Sequence, residues 1–200
     1  GSAFKPFVYA AAFRKGMSDN DSVLDERVSI RETDTGRWWS PRNSEDAYYG
    51  NVTLKTAFAL SLNSATVRLG QQIGFESVLE MAQQCGITSK LNTHPSIALG
   101  SFEVTLIELT SAYAVIATGK KNAPMTYTVI RDKKGEVVES SVALSRDVLS
   151  SDIVDKMKVL LRATIESGIA GIARRVPRTV YGKTGTTNDY SDAWFVGFDD

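Results

Sequence analysis

Helical and strand-like patterns occupy separate stretches of this chain, and that segregation limits the folds it can adopt. Apolar spacing and terminal glycines predict helices at 2–14, from 53 to 73 with a break at 61–63, and at 76–85, 105–118 and 151–167. Strand-like segments form consecutive pairs at 127–130 with 137–139 and at 179–184 with 192–198, while 23–30 alternates in part. This order predicts an α+β fold, with an antiparallel sheet packed by helices and an inserted helical subdomain.

The composition excludes several kinds of function. The 23 basic and 23 acidic side chains balance, and no basic run with interleaved aromatic residues is present, so nucleic-acid binding is not expected. Cys85 and His94 are the only residues of their types, too few for a Cys/His zinc site. His94 precedes Pro95 in a polar turn and is better explained as a capping or solvated side chain than as a catalytic one.

Ser2 and Lys5 form the first candidate motif. Residues three apart share a helix face, so the Lys5 amine can reach the Ser2 hydroxyl. A serine becomes a good nucleophile when a neighbouring base takes its proton, and lysine can do so when its amine is kept partly neutral. The spacing is common by chance, and a serine cap beside a solvated lysine explains it equally well when it is taken alone.

Two segments compete for the second motif. Ser18-Asp19-Asn20 lies beyond the predicted first helix, about 24 Å from Ser2 for a rise of about 1.5 Å per residue. Ser61-Leu62-Asn63 lies instead at a break between two predicted helices, where side chains can project into a cleft. Linker chemistry is the simpler explanation of such a break in isolation. Geometry favours Ser61 and Asn63 and rejects the segment at 18–20.

The third motif, Lys183-Thr184-Gly185-Thr186, ends a predicted strand and is the rarest of the three. A second ammonium near Lys5 disfavours charge on both amines, which helps to keep one of them neutral. Gly185 leaves room for a substrate backbone at the strand edge, and the hydroxyls of Thr184 and Thr186 can hold a carboxylate. A turn explains this motif alone about as well as a site does, but the three motifs together favour one active site.

The resemblance extends beyond the motifs. Several segments are similar to class A penicillin-binding proteins. They are Gly-Ser-Ala-Phe-Lys-Pro-Phe at the start, the region 52–69, Ala-Leu-Gly-Ser and Glu-Val-Thr at 98–105, Gly-Lys-Thr-Gly-Thr-Thr-Asn at 182–188, and Asp-Ala-Trp-Phe-Val-Gly at 192–197. The chain therefore resembles their transpeptidase domain, and the likeness covers nearly all of it. It implies that residues 1–200 are a transpeptidase domain truncated at both ends, with a β-lactamase/transpeptidase-like fold. A mainly helical subdomain is expected at about 20–125.

The resemblance also implies a peptidoglycan D,D-transpeptidase and a role for each motif residue. Ser2 would attack the penultimate D-alanine of a stem peptide, and Lys5 would take its proton. Ser61 and Lys183 would pass a proton to the leaving D-alanine, while Asn63 would bind the peptide or orient Lys5. The N–H groups of Ser2 and Thr186 would stabilise the oxyanion, and Thr184, Gly185 and Thr186 would bind substrate.

The same resemblance implies the surroundings of the enzyme. Its partners would be stem peptides that end in D-Ala-D-Ala, β-lactams that mimic them, and other cell-wall synthesis proteins, with no metal and no organic cofactor. The parent protein would carry a membrane anchor and a glycosyltransferase domain, and this domain would lie outside the cytoplasm, at the periplasmic face or cell exterior.

Three alternatives share the same acylated serine. A D,D-carboxypeptidase would differ only in using water as the acceptor, and a β-lactam sensor would be acylated without turning over. A serine β-lactamase would need a carboxylate that holds a deacylating water. Glu103 and Glu108 lie between the second and third motifs, but Glu108 falls within a helical pattern and Glu103 lacks suitable neighbours, which disfavours this alternative.

Overall fold

The computed structural model describes residues 1–32, 36–142, 144–186 and 193–200. Its α-helices are α1 (Lys5–Arg14), α2 (Leu54–Ala59), α3 (Asn63–Ile73), α4 (Phe75–Cys85), α5 (Leu106–Thr118) and α6 (Ser151–Glu166). Short 3₁₀ helices lie at Ser2–Phe4, Pro95–Leu99 and Gly171–Arg175. None of the helices in the described part of the chain is long and apolar enough to span a membrane.

The strands pair two by two, and every pair is antiparallel. They are β1 (Ser22–Asp25) with β4 (Gly50–Thr53), β2 (Ile30–Arg31) with β3 (Trp38–Trp39), β5 (Lys120–Asn122) with β8 (Ser145–Asp147), β6 (Val129–Arg131) with β7 (Val137–Ser140), and β9 (Val180–Thr186) with β10 (Ala193–Asp199). The α+β class and the antiparallel pairing predicted from sequence are therefore confirmed.

Helix α1 forms the centre of the core. All its residues from Lys5 to Phe13 are buried, as expected of a helix that is apolar around most of its circumference. It packs against α3, α4 and α6. Because the nucleophile motif opens this helix, Lys5 enters the interior on a rigid and well-packed element.

The β9–β10 hairpin packs next to the start of α1. It lies against α6, where the Thr164 hydroxyl donates to the Gly182 carbonyl, and β9 also lies against the Ser2–Phe4 turn. Along β9, burial reaches Lys183 and Gly185, and Thr186 at the end of the strand is exposed. The hairpin thus brings its third-motif residues to the start of α1.

The predicted helices are confirmed within one or two residues, including the break at 61–63. The single strand predicted at 23–30 is wrong, because the structure has two short strands there, β1 and β2, separated by an irregular segment. Strands β5 and β8 were not predicted, since each is three residues long and largely polar. The predicted start of the last strand at Asp192, and the quoted residues Thr187 and Asn188, lie outside the described residues.

The single cysteine and the single histidine both have structural positions. Cys85 is fully buried in the core. His94 caps the Pro95–Leu99 helix, where its ring Nδ1 accepts from the Ser96 N–H at 3.3 Å, and its Nε2 lies 3.1 Å from a Glu32 carboxylate oxygen. The capping prediction is confirmed.

Candidate active site

The candidate nucleophile lies in a tight turn held by contacts from distant parts of the chain. Ser2 is half-buried in the 3₁₀ turn that leads into α1, three residues before Lys5. The Tyr113 hydroxyl donates to the Ala3 carbonyl at 2.8 Å, and the Gly1 nitrogen donates to the Gly100 carbonyl at 2.5 Å. These contacts fix the backbone on both sides of the Ser2 side chain.

Gly100 is in the left-handed region, with φ +68°, and lies directly against this turn. A Cβ at that position would come within 2.3 Å of the Gly1 carbonyl oxygen and 2.5 Å of the Phe4 Cβ. Only glycine satisfies both the backbone conformation and the space. Gly100 belongs to one of the segments that resemble class A penicillin-binding proteins, but the sequence alone did not indicate this supporting contact.

The Lys5 amine is fully buried and directed at the corner between α2 and α3. It donates to the Ser61 carbonyl and the Asn63 Oδ1, each at 2.7 Å, and lies 3.2 Å from the Ser61 hydroxyl. The two carbonyl-type oxygens accept and never donate, so they occupy two N–H groups of the amine. The remaining tetrahedral position of the amine can exchange a proton with a hydroxyl, and the Ser61 hydroxyl lies within hydrogen-bonding distance.

Ser61 occupies an unusual backbone position at the end of α2. The Leu62 N–H donates to the Ala57 carbonyl and the Ser61 N–H donates to the Phe58 carbonyl, the paired bonds of a Schellman helix ending. Glycine is the usual residue at this left-handed position, but here Ser61 has φ +55°. A serine in this conformation is strained, and such strain clusters at functional sites.

Lys183 reaches the same corner from β9. Its amine lies 2.9 Å from the Ser61 hydroxyl and 3.3 Å from the Thr184 carbonyl, and 5.9 Å from the centre of the Phe58 ring. The side chain is completely buried. One hydroxyl therefore lies between two buried amines, within hydrogen-bonding distance of both.

The electrostatics favour neutral amines at this corner. Burial and the charge of Lys183 hold the pKa of Lys5 well below its usual range, although the Asp25 carboxylate opposes the shift. Burial lowers the pKa of Lys183 to about 7. Lys183 can thus exchange protons near neutral pH, and the lowered pKa of Lys5 makes its neutral, proton-accepting form easier to reach.

The end of β9 lies against the nucleophile turn. A Cβ at Gly185 would lie 3.0 Å from the Ala3 nitrogen and 3.0 Å from the Ala3 Cβ, and one at Gly1 would lie 2.9 Å from the Thr186 carbonyl oxygen. The missing side chain at Gly185 therefore allows the turn to pack on the strand, whereas the sequence argument assigned that space to substrate. Thr184 is half-buried, and Thr186 is exposed.

The structure joins four of the predicted motif residues directly and brings the segments of two others into contact. Ser61, Asn63, Lys5 and Lys183 share hydrogen bonds, and Ser2 and Thr186 belong to segments in contact. The rejected segment Ser18–Asn20 follows α1 at its far end, where the Ser18 N–H donates to the Asp21 carboxylate. Within the described residues, no group of three or more His, Cys, Asp or Glu side chains could hold a metal.

Glu108 has a structural role. Its carboxylate accepts from the backbone N–H groups of Thr88, Ser89 and Thr105, and it completes a capping box with Thr105 at the start of α5. Hydrogen bonds, first from the Thr88 and Ser89 hydroxyls, lower the pKa of its carboxyl group. The acceptor positions of this carboxylate are used, which disfavours a role in holding a deacylating water.

The sequence did not single out Asp25 and Asn43, both of which are buried next to the corner. Asn43 accepts hydrogen bonds from the backbone of Asn63 and Ser64, and Asp25 accepts from Asn43. Asp25 ends a short strand and Asn43 lies in an irregular segment, so the two share no local pattern. Their spacing from the motifs, about 20 to 40 residues, hides the connection.

Comparison with known proteins agrees with the geometry. Residues 1–200 match the family "Penicillin binding protein transpeptidase domain". Penicillin-binding protein 1A of Aquifex aeolicus is 41% identical over 199 residues, which are 99% of this chain and 27% of that protein. The chain thus spans about a quarter of the length of the curated relatives that it matches.

Solved structures give the same result. The crystal structure of penicillin-binding protein 1A from Haemophilus influenzae has a TM-score of 0.92 at 26% identity, covering 99% of this chain and 36% of that one. The PonA1 protein of Mycobacterium tuberculosis in complex with penicillin V has a TM-score of 0.81 at 25% identity, covering 100% of this chain and 57% of that one. The chain therefore belongs to the penicillin-binding protein transpeptidase domain family.

Proposed function

We propose that this chain is the catalytic region of a peptidoglycan D,D-transpeptidase that forms cross-links through a serine acyl-enzyme and is acylated by β-lactams. The observation that carries the proposal is the Ser61 hydroxyl, 3.2 Å from the Lys5 amine and 2.9 Å from the Lys183 amine. Family membership and the penicillin V complex of a solved relative support it.

Acylation begins at Ser2. Its hydroxyl attacks the carbonyl of the penultimate D-alanine, and Lys5 takes the proton, since its lowered pKa leaves the buried amine able to accept one. The attack forms a C–O bond and a tetrahedral oxyanion. The hydrogen bonds of Lys5 to Ser61 and Asn63 hold its amine in place during this step.

Collapse of the intermediate breaks the C–N bond to the terminal D-alanine, which must gain a proton as it leaves. The Ser61 hydroxyl donates that proton to the leaving nitrogen. The protonated Lys5 amine, 3.2 Å away, then returns a proton to Ser61, and the Lys183 amine lies 2.9 Å from the same hydroxyl. In its protonated form, which a pKa of about 7 keeps partly populated near neutral pH, Lys183 draws the substrate carboxylate to this end of the site. The amine of a second stem peptide then attacks the acyl carbonyl. A C–N bond forms, the C–O bond to Ser2 breaks, and the proton that the amine loses returns to the Ser2 oxygen by way of Lys5, which completes the cross-link.

Backbone N–H groups at Ser2 and Thr186 stabilise the oxyanion, and the hydroxyls of Thr184 and Thr186 bind the terminal carboxylate. The contact between Gly1 and Thr186 supports this arrangement because it brings the end of β9 beside the nucleophile turn. Each such oxyanion donor is worth roughly 3–4 kcal/mol of transition-state stabilisation. Gly185 contributes by admitting Ala3.

The natural protein works outside the cytoplasm, anchored to the membrane and together with other enzymes of cell-wall synthesis. The names of the relatives support this setting, as does the length of those proteins, of which the chain covers 26–28%. A glycosyltransferase domain in the natural protein would fit the same pattern, and no metal or organic cofactor takes part in the reaction.

Intact-mass spectrometry of the natural full-length protein tests the proposal. After mixing with a penicillin, the protein should gain one covalent adduct on Ser2 that survives for many minutes, and the Ser2→Ala protein should gain none. An adduct on the Ser2→Ala protein would refute the assignment. Rapid loss of the adduct with release of opened drug would indicate a β-lactamase, and release of D-alanine without cross-linking would indicate a carboxypeptidase.

A further inference from the structure

Within the part of the chain that the structure describes, a carboxylate is buried beside the candidate active site without an ion-pair partner. Asp25, the last residue of β1, has no exposed surface. Both of its oxygens accept from the Asn43 amide nitrogen at 3.0 Å, and Oδ2 also accepts from the Tyr49 N–H at 3.1 Å. The ion pairs among the described residues do not include it. Burial of a carboxylate on neutral donors alone costs stability, so a function is expected.

Asn43 connects this carboxylate to the second motif. Its side-chain oxygen accepts from the N–H of Asn63 at 2.7 Å and from that of Ser64 at 3.2 Å. These are the first two N–H groups of α3, whose own cap residue, Leu62, offers no side-chain acceptor. Asn43 therefore caps α3 from a distant loop, and it does so at the residue that holds Lys5.

Asp25 and the Ala47 carbonyl together determine which way the Asn43 amide points. An amide fits its site almost equally well in two orientations related by a half-turn. A carboxylate only accepts hydrogen bonds, and so does the Ala47 carbonyl, which receives the same amide nitrogen at 2.8 Å. Both acceptors require the nitrogen on their side, which directs the Asn43 oxygen at α3.

The charges around Lys5 give Asp25 a second influence. Two charged groups act on the Lys5 amine: Lys183 on β9 lowers its pKa and Asp25 on β1 raises it. The other polar groups that the structure describes near the Lys5 amine are uncharged. Ser61 and Asn63 face it from the α2–α3 corner, and Tyr9, on the same helix, is a neutral phenol that shares a hydrogen bond with Thr66. Loss of the Asp25 charge would therefore lower the Lys5 pKa further.

We propose that Asp25 is a positioning residue for this active site, acting through the oriented amide of Asn43 to hold Asn63 and the α2–α3 corner against Lys5. Asp25 itself touches neither the substrate nor the nucleophile. The expected effect of Asp25 on catalysis rests on the function proposed above. The cap that Asn43 provides to α3 does not depend on that function.

The test compares Asp25→Asn with Asp46→Asn in the natural full-length protein. Asp46 lies in the same loop region and carries the same charge, but its carboxylate is exposed and pairs with Arg27 at 2.7 Å. Asp25→Asn should lower the rate constant of acylation by a fluorescent penicillin at least about tenfold, or about 1.4 kcal/mol. It should change the dissociation constant of the reversible complex less than about threefold. Asp46→Asn should match the wild type in both.

A pH profile separates positioning from loss of fold. Because Lys5 acts as a base, the acylation rate rises as its amine loses a proton, and without the Asp25 charge that rise should begin at lower pH even as the plateau falls. The double substitution Asp25→Asn with Asn43→Asp returns the carboxylate to the pair and keeps an acceptor on α3. It should recover part of the lost rate relative to Asp25→Asn.

Hydrogen exchange gives a readout that does not depend on acylation. The amides of Asn63 and Ser64 should exchange at least about tenfold faster in Asp25→Asn than in the wild type, while amides in the middle of α4 stay unchanged. Unchanged exchange at these two amides, or an unshifted pH profile with a wild-type acylation rate, would overturn the proposal. A wild-type protein that penicillin does not acylate would refute the proposed function, and exchange would still decide the role of Asp25.

Discussion

At the residue scale, the hydrogen bonds of Lys5 allow its role as a base to be separated from a role in binding. Its amine is held by the Ser61 carbonyl and Asn63 Oδ1, each at 2.7 Å, and not by an acidic partner. Lys5→Ala should slow acylation by about 100- to 10,000-fold, the usual contribution of a general base. Stopped-flow kinetics should show a much smaller change in reversible binding, and equal effects on both would mean that Lys5 only holds substrate.

The motif residues could be predicted from sequence because each carries its chemistry at a fixed and short spacing. Ser2 and Lys5 lie three residues apart at the start of the first helical segment, and Lys183 lies within strand β9. Asp25 and Asn43 could not be predicted, since their roles depend on contacts with α3 that no local pattern encodes. The space beside Gly185 was assigned to substrate because the sequence does not show that Ala3 fills it.

At the element scale, the corner between α2 and α3 should show a conflict between stability and function. The backbone of residue 61 is left-handed, with φ +55°, a conformation that is unfavourable for serine and alanine but not for glycine. Ser61→Gly should therefore be more stable than Ser61→Ala by about 1 kcal/mol, although both variants lose the relay hydroxyl and acylate slowly. Urea unfolding measures the difference.

The sign of that difference is informative. In an ordinary helix interior glycine is less stable than alanine by about 0.5–1 kcal/mol, so the expected order at residue 61 is the reverse of the usual one. A Ser61→Ala protein more stable than the Ser61→Gly protein would mean that the helix ending seen here does not persist in solution. Comparison of the two substitutions cancels the effect of removing the hydroxyl.

The contact between Gly100 and the nucleophile turn predicts a second effect at this scale. Gly100→Ala should slow acylation at least about tenfold and lower the free energy of unfolding by more than about 1–2 kcal/mol, since the added carbon displaces Gly1 and Phe4. Gly135→Ala is the control, because Gly135 also has a positive φ, +88°, but no atom lies within 4 Å of its Cβ position. The control should lose stability without losing acylation rate.

Elements with strong periodicity were predictable, and weakly patterned ones were not. The long amphipathic helices α4 and α6 match their predicted bounds closely because a continuous apolar face defines them. The segment at 23–30 failed as one strand since its middle residues leave the sheet, so that β1 pairs with β4 and β2 with β3. Such pairing over long sequence distances is set by tertiary packing and not by local alternation.

At the scale of the whole molecule, the buried lysines should make stability increase with pH just above neutrality. Burial lowers the Lys183 pKa from 10.5 to about 7 in the folded protein, so between those values the unfolded chain binds more protons. The free energy of unfolding should therefore rise between about pH 7 and 8.5, by up to about 1.4 kcal/mol per pH unit for each such group. Above about pH 9, Cys85 opposes the trend, because burial raises its pKa from 9.0 to about 12.

Urea unfolding at several pH values measures how the free energy of unfolding depends on pH. The unfolding transition that belongs to this domain is identified as the one whose midpoint shifts when penicillin is bound. Lys183→Met should flatten the slope, since the substituted side chain does not titrate, whereas Lys158→Met, at a partly exposed lysine, should leave it unchanged. A wild-type stability that is constant or falls from about pH 7 to 8.5 would contradict the lowered pKa values.

The site is assembled from sequence positions that lie far apart. The Ser61 hydroxyl meets an amine 56 residues away and another 122 residues away, and the turn that carries Ser2 is tied to a carbonyl 99 residues away. Closing such long loops is entropically costly and comes late in folding. A nascent or misfolded chain would therefore lack the surroundings of Ser2 altogether, and under the proposed function covalent labelling by penicillin would count only those molecules that have completed their folding.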